Sequence, residues 1–284
     1  MSNTLSNVAV QQFPSVFTLE YQQLVRKLPP TIMVDTGVVG DIFNTAVTSP
    51  FTLSDRGAYQ SDIPPIDAQY ENVFGTFLNK ITNVPTDVFQ QGEVKANARR
   101  MLAMQAARAI NRMEDQIIID QFTSDPKITK IIPANGTNLT VEKIRRAASQ
   151  LDIDNVPAGE RYFVAHSNQK ESLLGQTEAT SSDYNSVKTL VEGNIDSFYG
   201  FKFIWFGNNP EGGLDLTVDI RTCFAYHKTC ALAAYGAVDG FANPGVHVAF
   251  DDRSVSWRVI PMLRMGAKVI LGEGIVKVLC DESL

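Results

Sequence analysis

Cys223, His227 and Cys230 form a C-x3-H-x2-C spacing, which offers three metal-ligating side chains within eight positions. The surrounding stretch, C-F-A-Y-H-K-T-C-A-L-A-A-Y, reads as a buried strand, and ligands at offsets of four and seven on a strand do not all face one way. Small buried thiols are the simpler reading, and no metal is expected. His166, His227 and His247 stand in ordinary contexts, and with no G-x-S-x-G elbow a hydrolase triad would have to be assembled from scattered residues. Asp152, Asp154, Asp251 and Asp252 are spaced closely enough for acid–base work, but carboxylates in turns more often cap backbone N–H groups. There is no Walker A pattern, and the G-N-N-P-E-G-G run from Gly207 to Gly213 reads as a turn. Catalytic, cofactor-binding and metal-binding residues are therefore none, and the expected work of the chain is contact, not catalysis.

Composition narrows the setting. The 284 residues are 44% hydrophobic, enough for one large or two modest cores. Lys and Arg number 25 against 31 Asp and Glu, so the net charge of −6 repels nucleic acid on average. No apolar window approaches a bilayer span, and the start lacks a signal-peptide pattern, so no membrane partner is expected. Three cysteines fit synthesis in a reducing cytoplasm, where the sequons at Asn135 and Asn138 are only a polar turn.

The elements that would make contact follow from periodicity. Residues 15–28 place Phe17, Tyr21, Leu24, Val25 and Leu28 on one helical face, which Pro29 and Pro30 terminate. This amphipathic arm is too small to be a core and must dock. From Ala46 to Gln90 the chain is rich in Pro and Asn and reads as an extended hairpin or loop, marginal without a partner surface. Residues 92–122 repeat Val94, Ala98, Leu102, Ala106, Ala109, Ile110, Met113 and Ile117 at helical spacing, predicting a strut of about 45 Å. Its basic pairs, Lys95 with Arg99 and Arg108 with Arg112, fall on opposite sides and form no stripe for nucleic acid.

Thr140 is the expected N-cap of a helix carrying Val141, Ile144, Ala148 and Leu151, followed by a strand at Arg161–Ala165. A cap at Asn168 opens a short helix to Gly175. The last third is β-rich: Phe201–Phe206, a hairpin of Val246, Val248 and Phe250 with Val255, Trp257 and Val259, and strands at Gly266–Leu271 and Ile275–Leu279. The fold class is α+β with a mixed sheet or sheets.

The succession V-E-K-I-R-R-A-A-S-Q-L-D-I-D-N-V-P-A-G-E-R-Y-F-V from Val141, then Ser182-Asp183-Tyr184, Gly193 to Phe201, Phe224 to Lys228 with Ala231 to Ala234, and Gly266 to Val269 resembles the major capsid proteins of tailed bacteriophages. Each motif is of modest specificity alone; their order over residues 13–279 carries the resemblance. It implies a Hong Kong 97-type fold: an N-terminal arm (1–45), an extended loop (46–89), a peripheral domain (90–136 and 245–284, with the spine helix at 92–122) and an axial domain (137–244).

It also implies a function: self-assembly, as pentamers and hexamers, into an icosahedral virion shell that touches packaged double-stranded DNA only non-specifically. Assembly would occur in the host cytoplasm. A portal and decoration or cement proteins are the further expected partners, with either a separate scaffolding protein or none, since nothing long enough to be a fused scaffold precedes the arm. Cross-linking between subunits is not carried over, because no motif marks its partners. The alternatives are an encapsulin-like nanocompartment shell, which shares the fold, and a cytosolic hydrolase with a scattered active site.

Overall fold

The computed structural model describes residues 21–53, 55, 65–88, 98–176, 197–209 and 211–283. Along these run β1 (Met33–Val38), β2 (Ile42–Thr48), β3 (Tyr70–Thr76), β4 (Leu78–Ile81), β5 (Val84–Asp87), α1 (Ala98–Ser124), β6 (Ile131–Ile132), α2 (Val141–Ile153), β7 (Arg161–His166) and α3 (Ser167–Leu174). There follow β8 (Ser197–Phe198), β9 (Phe201–Phe206), β10 (Leu216–Thr217), β11 (Ile220–His227), β12 (Ala231–Gly236), β13 (Gly245–Asp251), β14 (Ser256–Val269) and β15 (Ile275–Asp281).

Two larger sheets and one two-stranded ribbon organise these elements. In the first sheet β14 is central. On one edge it pairs antiparallel with β13 and then β12, and β1 lies parallel beyond β12. On the other edge it pairs with β5 and β4. Pro261, which has no N–H to give, falls opposite Thr82 and Asn83, where that second edge is interrupted between β4 and β5. The second sheet runs β6-β15-β11-β7-β9-β8, with β10 attached to β11. The ribbon is the antiparallel pair β2 and β3.

The chain passes from the second sheet to the first at the 3-10 turn Lys228–Cys230 and returns at the turn Gly272–Gly274. The two crossings are tied together, because Ile270 and Leu271 donate their N–H groups to the Cys230 carbonyl at 2.8 and 3.0 Å. Helix α1 packs along β14 and, by Phe122, against Phe224 and Tyr226 of β11, with ring centroids 5.6 and 5.1 Å apart. Lys277 donates to the Thr123 carbonyl at 2.9 Å and Lys268 to Asp125 at 2.7 Å, so cations meet the C-terminal end of the helix dipole.

On β11 the period-two alternation divides the labour: Phe224 and Tyr226 face α1, while Cys223 lies on the side of Cys280 and Lys143. Thr140 caps α2 as expected, accepting the Lys143 N–H at 3.2 Å. The Lys143 side chain is buried, and its ammonium donates to the carbonyls of Ala134, Thr137 and Leu279 at 2.9, 2.6 and 2.9 Å. It thereby joins α2 to the turn before it and to β15.

Several expectations are corrected here. Residues 21–28 are not helical: the Lys27 and Leu28 N–H groups go to the side chain of Asp115 instead of to carbonyls one turn back. The stretch read as one buried strand from Cys223 breaks at the 3-10 turn, since each half belongs to a different sheet. His166, not Asn168, caps α3: its Nδ1 accepts the Asn168 N–H at 3.2 Å and its own N–H is taken by Gln169. The strands expected around Val255–Val259 and Gly266–Leu271 are a single strand, β14. Apart from these corrections, the pairings that cross residues 137 and 245 are those of β12 in the first sheet, with β1 parallel to it, and of β15 with β11 in the second. The expected arm before residue 21, the helix start at 92–97 and the motif Ser182-Asp183-Tyr184 lie outside the described residues.

The substitution Lys143→Met keeps the apolar stem but leaves three carbonyls without their donor. It is expected to lower stability by on the order of 3 kcal/mol, read as a shift in urea midpoint at unchanged slope.

Candidate assembly surfaces

Most ribbon residues are exposed, and the buried ones, Phe43, Val73 and Gly75, mark where it is held. Phe43 on β2 is 3% exposed, its ring lying over Gly75 of β3 and against Gly266 of β14. A Cβ at Gly266 would overlap both that ring and the Thr76 carbonyl, so only glycine lets ribbon and sheet approach this closely. Arg264 completes the root. Its guanidinium lies over the Phe77 ring at 5.1 Å and donates to the carbonyls of Ala237 at 3.1 Å and Gly40 at 2.5 Å. Asn243 holds the Arg264 backbone in turn, accepting its N–H at 2.9 Å and donating to its carbonyl at 2.7 Å.

Beyond the root, one ribbon face turns Val73 inward and sets Glu71 against Lys127 at 3.0 Å. The other face presents Ile42, Tyr70 and Phe74, with Phe74 59% exposed, interleaved with Asn44, Asn72, Thr48 and Thr76. Among the described residues the outer edges of both ribbon strands are unpaired. Phe51 and Leu53, further along, are also exposed.

The second surface is the arm root. Residues 22–28 lie along α1: Asn111 donates to the Leu24 carbonyl at 2.9 Å, Arg112 bonds to Gln22, and Asp115 accepts the Leu28 N–H at 2.8 Å and both the Lys27 N–H and Gln23. Leu28 and Ile32 enter the core, while Tyr21, Leu24 and Val25 stay exposed at the point where the arm leaves. Lys27 reaches the second sheet, donating to the Trp205 carbonyl at 2.5 Å and sitting over the Phe206 ring. Neither the Glu114–Asp115 pair nor Arg264 was singled out by sequence reasoning. The available signal was two adjacent acids between Met113 and Ile117 on an otherwise apolar stripe.

Hairpin tips form a third group. Val218 and Asp219 join β10 to β11 with φ of 47° and 62°, and Val218 is 87% exposed. A two-residue turn of this kind favours Asn-Gly, and a β-branched residue is strained there. The tip between β13 and β14 places Val255 at φ 46° beside exposed Val248 and Phe250.

The residues considered for chemistry are scattered among structural tasks. Cys223 and Cys280 lie together and Cys230 lies at the sheet crossing, all buried, and hydrogen bonding between the first two together with burial pushes the Cys223 thiol up. His227 accepts the Thr229 N–H at 3.3 Å, and His247 packs edge-on against Phe241. Asp152 and Asp154 pair with Arg161 and Lys130, and Asp251 accepts from Ser254 and Arg258. Among the described residues no three His, Cys, Asp or Glu side chains gather as a metal would require, and no helix is long and apolar enough to cross a membrane.

Comparison with known proteins gives these surfaces a context. A family model described as phage capsid protein matches residues 5–282. Among solved structures, the chain is similar to the head structure of Helicobacter pylori bacteriophage KHP40, with TM-score 0.77, 11% identity and 99% of each chain covered. It is similar to the capsid of cyanophage P-SCSP1u, with TM-score 0.76, 12% identity and coverage of 100% of this chain and 96% of that one. A structure from Mycobacterium phage Che8 matches with TM-score 0.69 at 17% identity, covering 96% and 97%. At these identities the structural likeness speaks to the fold, which is the α+β Hong Kong 97-like capsid fold. No curated protein matches the sequence significantly.

The ribbon root yields one expectation: Gly266→Ala forces apart the Phe43 ring and the Thr76 carbonyl, with a loss of about 1–3 kcal/mol in urea unfolding and faster proteolysis within 42–76. The Val218 turn yields another of opposite sign. Val218→Asn relieves left-handed strain and should raise the stability of the unassembled subunit by about 1 kcal/mol, visible as a higher thermal midpoint.

Proposed function

This chain belongs to the phage capsid protein family and is a major capsid protein that forms the head shell, and we propose that its copies gather into pentamers and hexamers through the ribbon and the arm. The observation that carries the proposal is the ribbon: two strand edges left unpaired among the described residues and an exposed face of Ile42, Tyr70 and Phe74, projected from a root that Phe43, Gly266 and Arg264 fix. A two-stranded ribbon is marginal in water, so a neighbouring copy that covers it stabilises ribbon and shell together. Each large apolar side chain so covered contributes about 1.5–3 kcal/mol, and repetition around a closed shell turns weak single contacts into a strong whole.

In this reading the first sheet with α1 is the peripheral domain, and the second sheet with α2 and α3 is the axial domain. β15 therefore goes with the axial part and β12 with the peripheral part. The subunit is a component of the virion capsid, assembled in the host cytoplasm. The net charge of −6 suits a wall that encloses DNA with only non-specific contact. A portal, a separate scaffolding protein and decoration proteins are its further partners. The family match favours neither the cargo-enclosing nanocompartment nor the hydrolase.

The test is to replace Ala46–Asn72 by Asn-Gly, joining the cross-strand pair Thr45 and Val73 by a tight turn while keeping Phe43 and Gly75. The shortened chain should stay soluble and folded by circular dichroism yet give no closed particles by negative-stain electron microscopy under conditions where the full chain closes. Closed shells of normal size from the shortened chain would overturn the role given to the ribbon.

A further inference from the structure

Glu114 and Asp115 are adjacent on α1 and both are 0% exposed. Two carboxylates buried side by side call for two cations or two sets of strong donors, and only one set is complete. Asp115 receives the N–H groups of Lys27 and Leu28 at 3.1 and 2.8 Å together with the Gln23 amide. Glu114 has one oxygen, Oε2, on Arg26 at 3.3 Å, and the Tyr235 hydroxyl stands 3.4 Å from the same guanidinium. Its other oxygen, Oε1, is buried with no hydrogen-bond partner. Arg26 is itself 44% exposed, so water screens much of its charge. Lys27, the other nearby cation, spends its ammonium on the Trp205 carbonyl and the Phe206 ring.

We propose that Glu114 is a proton-binding site that couples the seating of the arm root on α1 to pH, taking up a proton as residues 21–28 close over it. The groups facing the pair are Arg26 and Lys27 from the arm root, Tyr235 from β12, Tyr226 from β11, and each acid from the other. Burial raises the Glu114 carboxyl above its ordinary value, against the opposing pull of Arg26 and Tyr235. Burial acts on Asp115 in the same direction, but Asp115 is the acid whose charge the backbone meets, so the proton belongs to Glu114.

The sign follows from linkage. With the arm root lifted, Glu114 is hydrated and titrates near its ordinary value of about 4.3. With the arm root seated it holds a proton more tightly, so seating is favoured as pH falls through the raised value, and the gain is complete below the ordinary one. Acid therefore tightens this junction, the reverse of what an ionised pair with Arg26 would do. The inference concerns the folded subunit and stands independently of the ribbon's role in assembly.

The experiment is hydrogen exchange on the full-length protein at pH 5, 6 and 7.5, read as protection of the residue 21–28 amides relative to the intrinsic rate at each pH. In the wild type, protection should rise toward pH 5, by about tenfold for each pH unit by which the raised Glu114 value lies above 5. Glu114→Gln, which imitates the protonated acid, should show the high protection at all three values. Arg26→Gln should match the wild type at pH 5 and lose protection at pH 7.5. A flat wild-type profile, or Glu114→Gln less protected than wild type at pH 7.5, would overturn the proposal. Should Glu114→Gln fail to fold, Arg26→Gln decides alone, because loss of protection at both pH 5 and pH 7.5 marks an ordinary ion pair.

Discussion

A strand hydrogen-bonded on both edges and covered by a helix has little conformational freedom left, and β14 is in that position for much of its 14 residues. What projects from the subunit takes its direction from this strand. β3 leads through Phe77 into β4, which pairs with β14, so the ribbon leaves the sheet as the continuation of a fixed element. The tip at Val255 is the end of β14's own hairpin with β13. Gly266 then sets the distance between strand and ribbon, because any side chain there would separate them. A hairpin that would wander alone is aimed by its root.

The two sheets behave as one body because α1 belongs to both. Ile117, Ile118 and Phe122 join a core that continues through β11 and β14, and the polar contacts sit where sheets or segments meet. Lys143 joins α2 to β15, Glu282 takes Arg221, Gln169 and Asn168 where the chain nears its end, and Asp125 takes Lys268 where α1 ends. Burial works against the ionised Glu282, yet its donors hold that carboxyl below the usual range, whereas Glu114 with its one open oxygen goes the other way. The difference is the number of donors each oxygen finds, not the depth of burial alone.

Much of this architecture was legible in the sequence where one face of an element is apolar. The α1 stripe, the Thr140 cap and the strands at Arg161 and Phe201 follow from period and capping chemistry, and the structure places them within a few residues of expectation. Local patterns failed where tertiary partners decide. Residues 21–28 carry a helical pattern, but a carboxylate 87 positions away takes the Leu28 N–H, and the segment forms no helix. Cys223 to Tyr235 looks like a single strand, because apolar residues are wanted on both sides of a sheet crossing, and only the turn at Lys228 separates the halves. Arg264 gave no signal, since its work is to gather carbonyls from Gly40 and Ala237 that are brought near only by the fold. The resemblance to phage capsid proteins supplied what periodicity could not: that the arm, the ribbon and the strut belong to one assembly.

The composition of the ribbon suits reversible association. An unbroken apolar face would make the free subunit prone to unspecific aggregation, and long bare strand edges are themselves templates for it. Here the exposed face alternates Ile42 with Asn44 and Tyr70 with Asn72, so no two large apolar residues are neighbours along either strand. In the proposed assembly each contact with a neighbouring copy is modest and can be remade when a subunit docks in the wrong place, and only a closed shell with every ribbon covered collects the full sum. The same reasoning explains why rigidity is concentrated at the root: an aimed ribbon loses less conformational entropy on docking than a free one, so modest contacts are enough.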